Sequence, residues 1–296
     1  MIEELSELIE NSVDLKTDEK FCAIIGLNPS KGARSPLLWN AVFKEKSLPI
    51  RMIPLDVNSE NILKILTLLD KNKNFVAGAL AVPYKETAFN FFHDRLNKTV
   101  KKIGAVNCIY RSDDGLLTAV NTDGEGAISA LTSEFGDNKF KKAMILGSGG
   151  TAKAVAAFLA PDLGKVDNLT IASRNKDDGS AIAEKCGANW ISWQDITSEL
   201  ENVDLLVNCT TVGSQSDIDN SPLSGEQIKM LPNSSTVYDV VYQPQQTKFL
   251  RFAQSYGLKN LGGLQMNLEQ AVIACHKALN EEYPLDIIRK TMLTAD

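Results

Sequence analysis

The chain has 296 residues, room for two ordinary domains, and its 44% apolar and 23% charged residues are the balance of a globular protein. A net charge of −6 argues against a nucleic-acid or anionic-membrane partner. The 5 cysteines are scattered and form no CxxC pair, and 2 histidines are few for a zinc site or a His-based triad, so no metal is expected.

The cysteines read as small buried apolar residues in a reducing compartment, which points to the cytoplasm. The acidic start, residues 1–20, has a helical pattern and none of the basic and apolar regions of a signal peptide. No apolar run is long enough to span a membrane. Oligomeric state is open between monomer and homodimer.

In chain order, residues 21–27 are a buried-strand pattern. A loop over 28–34 leads to Ser35 as N-cap and Pro36 at the first helical position, with a helix to about Lys46. Residues 50–57 read as a strand, 59–70 as a helix, 75–82 as a strand ended by Pro83, and 84–92 as a helix. Residues 103–110 and 116–120 look like a hairpin around Asp113-Asp114-Gly115. Alternating strands and helices imply an α/β domain on a mostly parallel sheet. Asn121-Thr122-Asp123-Gly124 then opens a helix to about Phe135.

The next stretch is the most informative. Residues 143–146 are a short apolar strand, Gly147-Ser148-Gly149-Gly150 follows, and a helix over 151–160 comes next. Strand, glycine turn and helix let the backbone approach a pyrophosphate and offer it a helix N-terminus. A tight βα turn alone would look the same. The second strand, 169–172, runs into Ser173-Arg174-Asn175-Lys176. An Arg at that strand end accommodates the 2′-phosphate of NADP, whereas an Asp or Glu would hold the 2′-hydroxyl of NAD. Arg174 and Lys176 favour NADP. Asp177 and Asp178 are near enough to keep NAD and S-adenosylmethionine open. Further elements are expected at 178–186 (helix), 190–191 (strand), 197–200 (helix) and 204–209 (strand). After a polar loop containing Pro222 come a strand at 237–241, a helix at 246–256, a strand at 258–261, and helices at 264–279 and 284–293. The last two have no strand after them and are expected to return to the first domain.

Eight short stretches, in this order, resemble the shikimate dehydrogenase family over essentially the whole chain. They are Asn28-Pro29 with Ser35-Pro36; Val82-Pro83-Tyr84-Lys85-Glu86; Gly104-Ala105-Val106-Asn107; Asn121 to Gly124; Gly147 to Gly150; Asn208-Cys209-Thr210 with Gly213; Tyr238 to Tyr242 with Pro244 and Thr247; and Met266 with Gln270. The resemblance implies a substrate-binding domain of residues 1–122 and 263–296 and a Rossmann NADP-binding domain of residues 123–262. It implies reversible, NADP-dependent reduction of 3-dehydroshikimate to shikimate, in the chorismate pathway of aromatic amino acid biosynthesis. Lys85 and Asp123 match the catalytic pair. Asn107 and Gln270 would hold ring hydroxyls, Ser35 would bind the substrate carboxylate, and Tyr242 would lie near it. Gly147, Ser148, Gly149, Gly150, Thr151, Ser173, Arg174, Asn208, Thr210 and Gly263 would line the cofactor.

The chemistry asks for such a pair independently. Hydride transfer to a carbonyl leaves charge on oxygen, so a proton donor must stand beside it. A Lys steadied by a carboxylate can serve, at a cleft between the two domains. The chain departs from the family pattern where Ala33, Ala79 and Ala81 replace polar residues, and Gln265 replaces a glycine. Three unpaired polar groups on a substrate would cost about 3–9 kcal/mol if additive. Either Arg34, Lys31 or Ser30 compensates, or the chain is a paralogue acting on quinate, an aminoshikimate or another ring polyol. A non-catalytic NADP-binding regulatory protein is the reading from another class; it would need neither Lys85 nor Asp123.

Overall fold

A computed structural model describes residues 2–136, 140–164 and 168–295. The chain divides into two compact units, Met1–Thr122 with Ala271–Asp296, and Asp123–Gln270.

The first unit opens with a helix, α1 (Ile2–Leu8), whose Leu5 is buried in the core. Its sheet has five strands: β1 (Lys20–Gly26), β2 (Ile50–Asp56), β3 (Phe75–Leu80), β4 (Cys108–Arg111) and β5 (Leu117–Val120). Their spatial order is β2-β1-β3-β4-β5. β1 runs parallel to β2 and β3, while β4 is antiparallel to β3 and β5. After Lys20, every residue of β1 is buried, as befits a central strand covered on both faces. The helices are α2 (Ser35–Glu45), α3 (Ile62–Lys71), α4 (Lys85–Phe92), α5 (Lys98–Ile103) and, from the C-terminal segment, α12 (Leu285–Leu293). α3 forms because Ile62, Ile65, Leu66 and Leu69 fall on one helical face, and all four are buried.

Three details differ from the sequence reading. Ser35 is the first helical residue of α2, not its cap. Arg34 holds the cap position with helical backbone, and its carbonyl accepts the first helical bond, from Leu38 N–H (3.1 Å). α3 starts at Ile62, since Asn58 to Asn61 close a turn of their own (3.0 Å). α5 occupies the approach to the expected hairpin. The Asn97 side chain accepts from Val100 N–H, and Gly104 ends the helix at φ +78°, both legible cap signals.

The second unit carries a six-stranded, fully parallel sheet: β6 (Ala143–Leu146), β7 (Leu169–Ser173), β8 (Asn189–Ser192), β9 (Leu205–Asn208), β10 (Thr236–Asp239) and β11 (Lys259–Leu261). The order is β11-β10-β9-β6-β7-β8. The chain builds outward from β6 in one direction and then from β9 in the other. The switch point therefore lies between β6 and β9, and ligands of such sheets bind at the carboxyl ends of the strands there. The helices are α6 (Asp123–Phe135), α7 (Gly150–Leu163), α8 (Lys176–Cys186), α9 (Gly225–Lys229), α10 (Lys248–Ser255) and α11 (Gly263–Ala278), within which the division of the chain falls. Along β6, Ala143 and Ile145 join one apolar cluster, and Met144 and Leu146 another, so the sheet is covered on both faces. α9 falls within the stretch whose composition predicts a polar loop. Its start is a capping box: Ser224 accepts from Gln227 N–H, and the Gln227 side chain accepts from Ser224 N–H.

Candidate active site

The glycine turn occupies the switch point of the second unit. Gly147 has φ +107°, which other residues rarely adopt, and a Cβ there would stand 3.1 Å from Thr210 Cγ2. The turn is thus drawn tightly against the loop after β9. Gly147 N–H donates to the Ala172 carbonyl (2.8 Å), fastening the turn to β7. Ser148 is half-buried. Gly149 takes the cap position of α7 without a side-chain cap, and Gly150 and Thr151 lead the first turn. First-turn N–H groups have no acceptor within a helix, and the dipole of this 14-residue helix favours an anion there. These features fit a dinucleotide pyrophosphate.

At the end of β7, Arg174 is exposed. The Ser173 hydroxyl is committed within the unit, donating to the Asn175 carbonyl (2.6 Å) and accepting from Trp190 Nε1 (3.0 Å). Asn175 Oδ1 caps α8 by accepting from the Asp177 and Asp178 N–H groups, and its Nδ2 donates to Asp178 (2.6 Å). Both carboxylates thus occupy the first turn of α8, where the helix dipole stabilises them.

Asn208 ends β9 and is fully buried. Its Oδ1 accepts from Thr210 N–H (3.0 Å) and Thr210 Oγ1 (2.7 Å). Asp123 opens α6 at 5% exposure. Tyr242 is half-buried in the loop after β10, and Gln270 Nε2 donates to the Asn267 carbonyl (2.9 Å) on α11. Gly263 lies flush on that loop. A Cβ there would stand 2.2 Å from the Val240 carbonyl oxygen, and Gly263 N–H donates to the Val241 carbonyl (3.2 Å).

In the first unit, Lys85 starts α4 and is half-buried. Its carbonyl accepts from Val106 N–H (3.0 Å). Asn107, 4% exposed, accepts from Thr122 N–H through Oδ1 (2.7 Å) and donates to Thr122 Oγ1 through Nδ2 (2.9 Å). Asn121 Nδ2 donates to the Ala105 carbonyl (3.0 Å). Residues 105–107 are therefore tied both to Lys85 and to 121–122. Ser35 is buried and Arg34 half-buried at the start of α2. Ser30, one of three side chains the sequence offers for a substrate carboxylate, is committed to Asp56, to which its N–H (2.9 Å) and its hydroxyl both donate.

The sequence reading gave no role to Asp239 or Thr247, two fully buried polar residues bonded to each other (2.7 Å). Among the described residues no group of three potential metal ligands gathers, and no helix is long and apolar enough to cross a membrane.

A parallel sheet with a glycine turn at its switch point and an Arg after the second strand defines a Rossmann-type dinucleotide-binding unit, in a chain with a separate α/β unit. The profile described as shikimate dehydrogenase substrate binding domain matches residues 24–109, and that of shikimate / quinate 5-dehydrogenase matches residues 129–230. The shikimate dehydrogenase (NADP(+)) of Alkaliphilus oremlandii is 33% identical over 94% of this chain and 98% of its own length. That of Methanocaldococcus jannaschii is 32% identical over 91% of this chain and 96% of its own. The shikimate 5-dehydrogenase of Thermus thermophilus, solved with NADP(H) and shikimate, superposes with a TM-score of 0.78 at 27% identity, over 94% of this chain and all (100%) of that one. The chain belongs to the shikimate dehydrogenase family.

Proposed function

We propose that this chain is an NADP-dependent oxidoreductase that interconverts 3-dehydroshikimate and shikimate. The observation that carries this reading is the near full-length similarity to relatives named shikimate dehydrogenase (NADP(+)). The glycine turn from Gly147 to Thr151 holds the pyrophosphate, Arg174 receives the 2′-phosphate, and Ser173, Asn208, Thr210 and Gly263 complete the bed. The bound nicotinamide supplies or accepts the hydride.

The remaining chemistry belongs to this chain. In the direction of reduction, Lys85 gives a proton to the carbonyl oxygen as the carbon gains hydride; in oxidation it takes that proton back from the hydroxyl. Asp123 is the second residue of the catalytic pair. Asn107 and Gln270 orient ring hydroxyls, and Ser35, Arg34 and Tyr242 receive the carboxylate of the substrate. Methyl groups at Ala33, Ala79 and Ala81 offer no hydrogen bond, so substrate affinity rests on the remaining polar groups.

The test is NADP⁺ reduction followed by absorbance with shikimate, quinate and related ring alcohols. Turnover of shikimate is expected, and Lys85→Ala should lower kcat on the order of 10²-fold or more. Turnover of another alcohol alone would refute the substrate, and near-normal kcat in the variant would refute the role of Lys85.

A further inference from the structure

Asp239 closes β10 and is fully buried. Three donors converge on its carboxylate. Asn208 Nδ2 (2.9 Å) and Val241 N–H (3.1 Å) donate to Oδ1, and the Thr247 hydroxyl (2.7 Å) donates to Oδ2. None of them carries a positive charge. Each belongs to a different segment: the end of β9, the loop after β10, and the cap of α10, where Thr247 Oγ1 also accepts from Leu250 N–H (3.2 Å). Asn208 passes the constraint on through its two bonds from Thr210, and Thr210 packs against the Gly147 turn.

Burying a carboxylate without a cation is costly, and an apolar side chain of similar size would serve a core better. The residue stands where the strand ends border the switch point, so the cost is met at the place where a ligand needs fixed walls.

We propose that Asp239 is a positioning residue for the dinucleotide: it clamps Asn208, the Val241 backbone and Thr247 together, and so holds the Thr210 loop against the Gly147 turn. This rests on the NADP reading above. Asp239 is fully buried and acts through the groups it holds, reaching the Gly147 turn by way of Asn208 and Thr210.

The test measures the NADP⁺ dissociation constant by calorimetry, and hydrogen–deuterium exchange over 209–213 in the protein without cofactor. Asp239→Ala should weaken NADP⁺ binding about tenfold or more, the change that about 1.4 kcal/mol produces, and should speed exchange over 209–213. Asp239→Asn keeps the size and the two bonds that Oδ1 accepts from Asn208 and Val241, while the third reverses, Nδ2 donating to Thr247 Oγ1, so it should bind NADP⁺ more tightly than Asp239→Ala. Should Asp239→Ala fail to fold, Thr247→Val removes one arm of the clamp and should show the same two losses, while Thr247→Ser should restore both. Folded variants with unchanged affinity and unchanged exchange would overturn the inference. So would an Asp239→Asn loss equal to that of Asp239→Ala, because the two bonds to Oδ1 survive that change. An unaltered protein that binds no NADP⁺ would overturn the NADP reading and the inference with it; normal binding with indifferent variants overturns the inference alone.

Discussion

Replacing Asp239 with Asn should make the second unit more stable at neutral pH, and the gain should vanish in acid. Burial pushes the Asp239 carboxyl up from 3.8 to about 6, against the pull of Thr247, Val241 and Asn208, which favour the charged form. At about 1.4 kcal/mol per tenfold change in proton affinity, that rise amounts to about 3 kcal/mol. The sign follows from linkage. Between pH 3.8 and about 6 the folded protein holds a proton that the unfolded chain has released. Stability therefore falls as pH rises through that window, and levels off above it. Tyr238, its neighbour on β10, is pushed well above its ordinary value by burial and stays neutral throughout. Other carboxyls, such as Glu19 and Asp114, are held low by hydrogen bonds and lose stability in acid, but they act equally on both proteins. The difference between the two proteins isolates Asp239. Urea unfolding, followed by the fluorescence of Trp190 and Trp193 in this unit, should show the Asn variant gaining up to about 3 kcal/mol from pH 4 to pH 7. A constant difference across that range would refute the argument.

Arg174→Ala should raise KM for NADP⁺ by about tenfold or more while leaving NAD⁺ kinetics nearly unchanged, as expected if a charged partner of the 2′-phosphate is lost. Equal losses with both cofactors would remove Arg174 from that role. Gly263→Ala drives a methyl group onto the Val240 carbonyl, a backbone atom that cannot rotate away. It should cost about 1–3 kcal/mol or more in unfolding experiments, and a neutral result would mean that the loop carrying Tyr242 yields easily. Cys22, Cys108 and Cys275 are buried, and burial raises all three thiols, that of Cys108 to about 12. A thiol reagent at mildly alkaline pH should therefore spare these three in the native protein and reach half-buried Cys186 first, as peptide mapping would show. Rapid labelling of any of the three would refute the packing of that core.

Local pattern determined much of this protein. The apolar run of β6, the glycines after it and the helix beyond were legible because a pyrophosphate turn is a short-range device. Strand, turn and helix N-terminus are contiguous in the chain. The face of α3 was legible for the same kind of reason, although the pattern does not show that Asn58 to Asn61 close a separate turn before it. Caps that depend on one side chain, such as Asn97 for α5 and Ser224 for α9, were written in the sequence but outweighed by the loop-like residues around them.

Tertiary structure alone decided what long-range contacts decide. No spacing rule brings Asn208, Asp239 and Thr247 to one point; that follows from β9 lying beside β10 and from the turn back into α10. Likewise Ser30 reads as a loop hydroxyl until the end of β2 presents Asp56 to it, and Ser173 reads as a strand-end polar group until Trp190 covers it. A buried polar side chain takes its partner from whichever strand end the sheet order puts next to it, and sheet order is a property of the whole chain.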